Sequence, residues 1–440
     1  MDIRNIVLDD VISILENKNP LHKVLLSSLR GIEDARDKSF AARLVRGTVE
    51  RALSLDIIID GVSSIKTAKQ KPIIRNILRT AVYQIVFMDG VTDFAAVNEA
   101  VKLAGKRGFR SLNGFVNGVL RTICRKKDDI ISALNAEGRK NFSFRYSVPE
   151  WITGGFCKLY GEEKTENAFK YFLNENRISI RVNTSKTGRD TEFVKKIPGA
   201  EPNLYMDDCF YITGQGSIEE NEDFKKGLFT VQDMSSALAG YCCRSVLNGR
   251  KAKVLDLCAA PGGKSMYLAD SGMEVTACDI SESKLSIMRE NMDRCGFREV
   301  SLMMNDALVF NEEFEERFEL VLCDLPCSGL GIIGKKPDIK YNMTKDKVRE
   351  LTLLQRNILK NAVRYVSKNG YLVYSTCTVT KEENLENAGF ITSELGLKGM
   401  PVKSLLPEKI GEKTGEDPFI QILPGEFGSD GFFISCFKKA

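Results

Sequence analysis

Histidine, tryptophan and closely paired cysteines are scarce in this chain of 440 residues. It contains one histidine, His22, and one tryptophan, Trp151, and no Cys-x-x-Cys pair occurs among its twelve cysteines. Structural zinc sites usually draw on such pairs or on Cys/His clusters, so we expect no bound metal. The single histidine lies near the start of the chain, whereas all candidate site residues come after residue 250. This separation also argues against histidine acid–base catalysis at the candidate site.

Long apolar runs are absent as well, and none reaches the length of a membrane span. Residues 1–5 lack the basic region and cleavage site of a signal peptide. Hydrophobic residues make up 43% of the chain and charged residues 28%, which is ordinary for a soluble globular protein. We therefore expect a cytoplasmic protein with reduced cysteines, two or three domains and no membrane partner. The sequence does not establish the oligomeric state, and our expectation is a monomer.

The net charge of +4 is unevenly distributed along the chain. Residues 1–150 carry a net charge of +8 and the remainder −4, and residues 102–127 hold eight basic residues and no acidic one. Such asymmetry suggests that the front of the chain binds nucleic acid. A solvated basic helix face would produce the same pattern, and charge alone does not separate the two.

Hydrophobic periodicity divides the chain into three segments. Residues 1–140 show apolar positions at helical spacing and predict an all-α bundle of six or seven helices. Residues 141–225 mix helical stretches with strand-like ones at 178–183 and 210–212, which predicts a small α+β module. Residues 226–440 alternate strands and helices in the manner of a doubly wound, Rossmann-like α/β domain. The predicted strands there are 253–257, 274–278, 301–304, 319–323 and 371–374, with a C-terminal pair at 419–423 and 431–437.

A glycine-containing loop follows the first strand of this third segment. It reads Cys258, Ala259, Ala260, Pro261, Gly262, Gly263 and Lys264. The loop matches neither the dinucleotide motif nor the phosphate loop, so its ligand need not carry a pyrophosphate. Asp279 ends the next predicted strand, where a carboxylate usually binds ribose hydroxyls. Asp306 with Asn305 ends the third and can bind an adenine amino group. Together they predict S-adenosylmethionine, with a generic α/β turn as the alternative.

Two cysteines follow further predicted strands of the same sheet. Cys327 lies in Asp324-Leu-Pro-Cys-Ser-Gly and Cys377 in Ser375-Thr-Cys-Thr, so both thiols should face one pocket. Carbon 5 of a pyrimidine is a weak nucleophile, and a thiolate adding at carbon 6 activates it. The pair therefore predicts methylation of a pyrimidine at carbon. Spacing does not decide which cysteine attacks, a lone cysteine could serve packing, and Asp324 could cap a helix.

The same residues resemble the Sun (Fmu, RsmB) family of RNA 5-methylcytosine methyltransferases. Residues 96–101 and 114–121 are similar to the NusB-type RNA-binding domain found at the front of that family. The likeness extends to the glycine loop, both cysteine motifs and residues 227–236 and 430–433. It implies a NusB-like domain over 1–140, an RRM-like module over 141–225 and a class-I methyltransferase domain over 226–440.

That resemblance also implies roles for the candidate residues. Cys377 would be the nucleophile, and Cys327 would assist release of the product. The loop from Cys258 to Lys264 would line the S-adenosylmethionine site together with Asp279, Asp306 and Asp324, and Asp324 and Lys264 would also contact the cytosine. The partner would be small-subunit ribosomal RNA, methylated at cytosine 967 of 16S rRNA.

Other functions remain open at this point. Another rRNA or tRNA cytosine could be the target, or the chain could be a non-catalytic RNA-binding factor. The intact thiols and glycine loop argue against a non-catalytic factor. A third alternative, methylation of a protein or small molecule, would leave the paired thiols unexplained. Lys335 and Lys336 are either RNA contacts or solvated loop charges.

Overall fold

The structure is a computed structural model that describes residues 2–174, 177–188, 190–213 and 218–440. It contains two compact units. The first comprises Met1–Leu173 and Ile333–Met343, and the second comprises Asn174–Ile332 and Thr344–Ala440. The segment Ile333–Met343 thus belongs to the first unit although its sequence neighbours on both sides belong to the second. These units do not follow the three predicted segments one for one, and the division into three domains stays a prediction.

The first unit is helical. Its helices before residue 175 are α1 (Ile3–Leu15), α2 (Leu21–Ser28), α3 (Ala35–Asp60), α4 (Pro72–Phe87), α5 (Asp93–Lys106), α6 (Asn113–Arg125), α7 (Lys127–Asn135), α8 (Phe142–Tyr146), α9 (Glu150–Tyr160) and α10 (Glu162–Asn174). Residues 2–140 contain seven of them and no strand, which confirms the predicted all-helical bundle.

Local sequence explains how these helices begin and what they bury. The Oδ1 atom of Asp34 accepts hydrogen bonds from the first backbone N–H groups of α3 at 2.9 Å, as an N-cap residue does. Pro72 occupies the first turn of α4, where its missing N–H costs nothing. The apolar residues at helical spacing in α4, including Ile77 and Leu78, are buried. The predicted apolar face therefore forms the core of this unit.

A small antiparallel sheet opens the second unit. Its elements are β1 (Ile178–Val182), α11 (Thr184–Thr187), α12 (Glu192–Lys195), β2 (Glu201–Pro202), β3 (Cys209–Ile212), α13 (Glu222–Lys225) and β4 (Phe229–Val231). The strand order is β2-β3-β1-β4. The predicted strands at 178–183 and 210–212 are confirmed as β1 and β3.

A larger mixed sheet forms the rest of the second unit. Its strands are β5 (Lys253–Asp256), β6 (Glu274–Asp279), β7 (Ser301–Met304), β8 (Phe318–Asp324), β9 (Val366–Thr376), β10 (Lys398–Gly399), β11 (Phe419–Ile422) and β12 (Phe432–Lys438). The helices along this part of the chain are α14 (Met234–Val246), α15 (Gly263–Asp270), α16 (Glu282–Cys295), α17 (Ile339–Asn342), α18 (Lys345–Tyr365), α19 (Leu385–Ser393) and α20 (Glu408–Gly411). Helix α17 lies in the segment that belongs to the first unit.

The order of this sheet is β10-β12-β9-β8-β5-β6-β7, with β11 paired to β12. Strands β5 to β9 run parallel, whereas β10, β11 and β9 are antiparallel to β12. Successive strand residues point to opposite faces, so Leu320 packs on one core and Val321 on the other. Helices α14 to α16 cover the first face, and α18 and α19 cover the second. This is the predicted doubly wound architecture.

Within the described ranges, no helix combines the length and apolar character needed to cross a bilayer.

Candidate active site

The predicted site residues lie at the carboxyl ends of parallel strands that are neighbours in the sheet. Asp279 ends β6, Asp324 ends β8, Cys377 directly follows β9, and the glycine loop follows β5. Cys327 comes three residues after β8, and Asp306 follows β7 beside β6. Because parallel strands point the same way, their ends share one edge, where such sheets bind ligands.

The glycine loop forms a tight, anchored turn between β5 and α15. The backbone N–H of Ala260 donates to Oδ2 of Asp279 at 3.1 Å, which ties the loop to β6. Gly262 has a φ of +101° at the start of α15. A side chain there would be strained and would place its Cβ 3.4 Å from the Met292 side chain. Glycine is therefore required for the chain to turn into α15 at this point.

Polar groups at the ends of β6 and β7 complete one half of the pocket. Asp279 is buried, and its Oδ1 accepts a hydrogen bond from Lys284 Nζ at 2.8 Å. Asp306 is exposed, and its Oδ1 accepts from the backbone N–H of Leu308 at 3.0 Å. The Nδ2 atom of Asn305 is buried without a hydrogen-bond partner among the described residues. Such an unpaired donor fits a ligand that presents an acceptor.

A buried ion pair joins the glycine loop to β8. Lys264 Nζ donates to Oδ2 of Asp324 at 2.7 Å and to Oγ of Ser236 at 2.8 Å. The other carboxylate oxygen of Asp324 accepts from Ser375 Oγ at 2.8 Å, which argues against the helix-cap alternative. Burial by itself would lower the pKa of Lys264, but the charge and hydrogen bond of Asp324 outweigh it and the pKa is raised. Lys264 therefore stays charged inside the pocket.

The two predicted thiols are in direct contact. The Sγ atoms of Cys327 and Cys377 are 3.3 Å apart, and both residues are half-buried. The hydrogen bond to Cys377 and burial raise the pKa of Cys327 well above its usual range. Burial likewise raises the pKa of the Cys258 thiol in the glycine loop. Cys327 and Cys258 are therefore neutral thiols near neutral pH.

Sequence reasoning missed a carboxylate that lies between the two thiol-bearing loops. Glu383 is completely buried and accepts hydrogen bonds from the backbone N–H of Ser328 at 2.8 Å and from Thr380 Oγ1 at 2.8 Å. It also missed Ser236 and Ser375, the partners of the ion pair. The sequence around Glu383, Lys-Glu-Glu-Asn-Leu, is that of an exposed loop, and no local signal distinguishes this position.

Two further predictions concern residues outside this pocket. Lys335 and Lys336 belong to the segment Ile333–Met343 of the first unit, where Lys336 is exposed and Lys335 half-buried. Whether they contact RNA stays a prediction. In the portion of the chain that the structure describes, no group of three or more His, Cys, Asp or Glu side chains could hold a metal ion.

Comparison with known families finds two matches, one for each end of the chain. The 16S rRNA methyltransferase RsmB/F family matches residues 246–438, and the NusB family matches residues 1–125. The probable ribosomal RNA small subunit methyltransferase B of Bacillus subtilis strain 168 is 33% identical over 448 residues, covering 99% of this chain and 98% of that protein. The ribosomal RNA small subunit methyltransferase B of Escherichia coli O7:K1 is 27% identical over 447 residues, covering 100% and 99%.

Solved structures agree with the fold. The crystal structure of PH0851 is similar with a TM-score of 0.77 at 23% identity, covering 100% of this chain and 99% of that one. The crystal structure of NSun6 from Pyrococcus horikoshii with SFG gives a TM-score of 0.54 at 20% identity, covering 66% and 98%. Together with the family matches, these likenesses confirm the predicted order of a NusB-like helical bundle followed by an α/β methyltransferase fold.

Proposed function

We propose, on the premise that the chain belongs to the RsmB/F family of 16S rRNA methyltransferases, that it methylates carbon 5 of one cytosine in small-subunit ribosomal RNA. The methyl donor is S-adenosylmethionine, and the proposed target is cytosine 967. The observation that carries this proposal is the thiol pair, Cys327 and Cys377, 3.3 Å apart beside the buried Lys264–Asp324 ion pair. A pyrimidine methylated at carbon needs an attacking thiolate, and a second thiol in contact can assist its release.

The residues at the strand ends fit S-adenosylmethionine. Asp279 offers carboxylate oxygens to ribose hydroxyls, and the unpaired Nδ2 donor of Asn305 suits a ring nitrogen of adenine. Ile280 is 57% exposed and Leu308 45% exposed beside them, so apolar surface is available for the flat ring. Asp306 and the loop from Cys258 to Lys264 line the remainder of the proposed site. When bound, the cofactor supplies an electrophilic methyl group on a positively charged sulfur.

Four side chains of the protein then act on the cytosine. Cys377 adds as a thiolate to carbon 6, which forms an S–C bond and makes carbon 5 nucleophilic toward the methyl group. Asp324 accepts a hydrogen bond from the cytosine amino group, and Lys264 balances the negative charge of the ring. After transfer, a base takes the carbon 5 proton, the electron pair of that C–H bond re-forms the double bond between carbons 5 and 6, and the electron pair of the S–C bond returns to Cys377. Cys327, held as a neutral thiol, donates a hydrogen bond to the departing sulfur.

A covalent-trapping experiment tests these roles. Wild type, Cys327→Ala and Cys377→Ala are incubated with S-adenosylmethionine and small-subunit rRNA and resolved on a denaturing gel. We expect Cys327→Ala to accumulate a protein–RNA adduct and Cys377→Ala to form none. Cys124→Ala, which removes a half-buried thiol on α6, is the matched control and should behave as wild type. Mass spectrometry of digested product RNA locates the methylated base.

Each outcome bears on the proposal. An adduct with Cys377→Ala and none with Cys327→Ala would exchange the two roles. Methylation at a cytosine other than 967 would retain the chemistry and overturn the target. Neither adduct nor methyl transfer by the wild type, on this RNA, would favour a non-catalytic RNA-binding factor or a different substrate.

A further inference from the structure

Glu383 is a buried carboxylate that has no cationic partner among the described residues. Its Oε1 accepts hydrogen bonds from the backbone N–H of Ser328 at 2.8 Å and from Gln355 Nε2 at 3.1 Å. Its Oε2 accepts from Ser328 Oγ and from Thr380 Oγ1. All four donors are neutral, and no described lysine or arginine pairs with it. Four neutral donors therefore hold this carboxyl group in one orientation.

These hydrogen bonds join the two loops that carry the thiols. Ser328 directly follows Cys327, and Thr380 lies three residues after Cys377. The hydroxyl of Ser328 is also 2.7 Å from the Oγ1 atom of Thr378, the residue after Cys377. The carboxyl group of Glu383 therefore joins the two loops through hydrogen bonds to Ser328 and Thr380.

Neither packing nor hydrogen bonding requires a charge at this position. A glutamine has nearly the same shape, and the hydroxyls of Ser328 and Thr380 can accept hydrogen bonds from its amide nitrogen as readily as they donate. Burying a carboxylate costs more free energy than burying a neutral amide of the same shape. Glu382, the preceding residue of the same type, is exposed, so the chain places one of the two glutamates in water and buries the other. The hydrogen bonds that Glu383 makes to both thiol-bearing loops therefore point to a role in holding the two thiols.

We propose that Glu383 is a positioning residue of the thiol pair, which holds the loops of Cys327 and Cys377 together and so sets the approach of the two sulfurs. The proposal rests on the methyl-transfer function proposed above. The hydrogen bond to Cys377, burial and the negative charge of Glu383 act in the same direction on the pKa of Cys327. Lys264, which is paired with Asp324, interacts electrostatically with Cys377. A thiol that stays neutral can donate a hydrogen bond to the Cys377 sulfur as that sulfur leaves the ring.

The first test uses the protein alone, so it does not depend on any RNA or on methyl transfer. Glu383→Gln removes the charge and retains the shape, and Glu382→Gln is the matched control on the exposed neighbour. Alkylation by iodoacetamide is followed from about pH 6 to about pH 10, with peptide mass spectrometry to quantify each cysteine. We expect Glu383→Gln to lower the pH at which Cys327 reacts by roughly half a unit or more. Glu382→Gln should match the wild type.

The second test follows the reaction with S-adenosylmethionine and small-subunit rRNA. We expect Glu383→Gln to reduce kcat about tenfold or more, with KM for RNA unchanged, and to accumulate the covalent adduct. Ser328→Ala removes a hydroxyl that holds the loops but leaves the charge. It should also reduce kcat and accumulate adduct, while the pH dependence of Cys327 alkylation stays that of the wild type.

The outcomes separate this inference from the proposed function. If Glu383→Gln leaves both the Cys327 alkylation profile and turnover at wild-type values, the positioning role is overturned. Should Glu383→Gln fail to fold, Ser328→Ala decides, because wild-type turnover by that variant would also overturn the role. Absence of methyl transfer by the wild type would refute the proposed function and leave the alkylation result standing.

Discussion

Lys340 of helix α17 is a buried lysine in the first unit. Its burial allows us to predict how its replacement changes the free energy of unfolding. It is 2% exposed, and its Nζ donates a hydrogen bond to the backbone carbonyl of Glu50 at 2.7 Å. Burial lowers the pKa of Lys340 to about 7, from an ordinary value of 10.5. Folding therefore disfavours the protonated form of Lys340, which is the form that lysine takes in the unfolded chain at neutral pH.

The size and sign of the effect follow from this pKa difference. Each pH unit corresponds to about 1.36 kcal/mol, so below pH 7 the buried charge costs about 5 kcal/mol. Between about pH 7 and 10.5, Lys340 is protonated in the unfolded chain and neutral in the folded protein. Stability rises with pH wherever the unfolded chain binds more protons, so the cost of burying Lys340 declines over this range. Lys340→Met removes this cost and loses one hydrogen bond, worth about 1 kcal/mol. We expect the variant to be more stable by about 3–4 kcal/mol at acidic pH, a gain that vanishes by about pH 10.

Urea unfolding measured by tryptophan fluorescence tests this prediction, because Trp151 is the single tryptophan and lies in the first unit. Unfolding free energies of wild type and Lys340→Met are compared at about pH 6, 8 and 10. Lys336→Met changes an exposed lysine of the same segment and should stay within about 0.5 kcal/mol of wild type throughout. A variant less stable than wild type at acidic pH, or a difference independent of pH, would refute the reasoning.

Three further predictions concern the pocket and the RNA. Lys264→Met and Asp324→Asn should couple by about 2–3 kcal/mol in a double-mutant cycle on kcat/KM, because the first leaves the half-buried Asp324 and the second the buried Lys264 without a partner; additive effects would contradict this. Gly331→Ala would place a Cβ 2.2 Å from a backbone carbonyl oxygen, so methyl transfer and melting temperature should both fall, and unchanged values would show that this loop can move aside. Replacing the exposed Arg121 and Arg125 of α6 by alanine should weaken RNA binding and reduce its salt slope by about one each, as filter binding at several salt concentrations can measure. A slope equal to that of wild type would exclude α6 from the RNA contact.

Elements that depend on local pattern were predictable, and their ends were less so. The predicted strand 301–304 occurs as β7 with the same ends. The predicted strand 371–374 is longer in the structure, because β9 begins at Val366, which pairs with Phe318 of β8. That pairing joins residues far apart in the chain, and the polar stretch 367–370 carries no local strand signal. The two-residue strand β10 was missed for the same reason, since it exists through its pairing with β12.

The pattern of strands along the chain was enough to predict that one edge of a sheet carries Asp324, Cys327, Cys377 and the glycine loop. Strand direction is enough for that conclusion, because parallel strands carry their carboxyl ends to the same side. The 3.3 Å approach of the two sulfurs and the contact of Lys264 with Asp324 could be seen only in the folded chain. These contacts join residues 50 and 60 positions apart, and their distances follow from strand register and helix packing rather than from any local pattern.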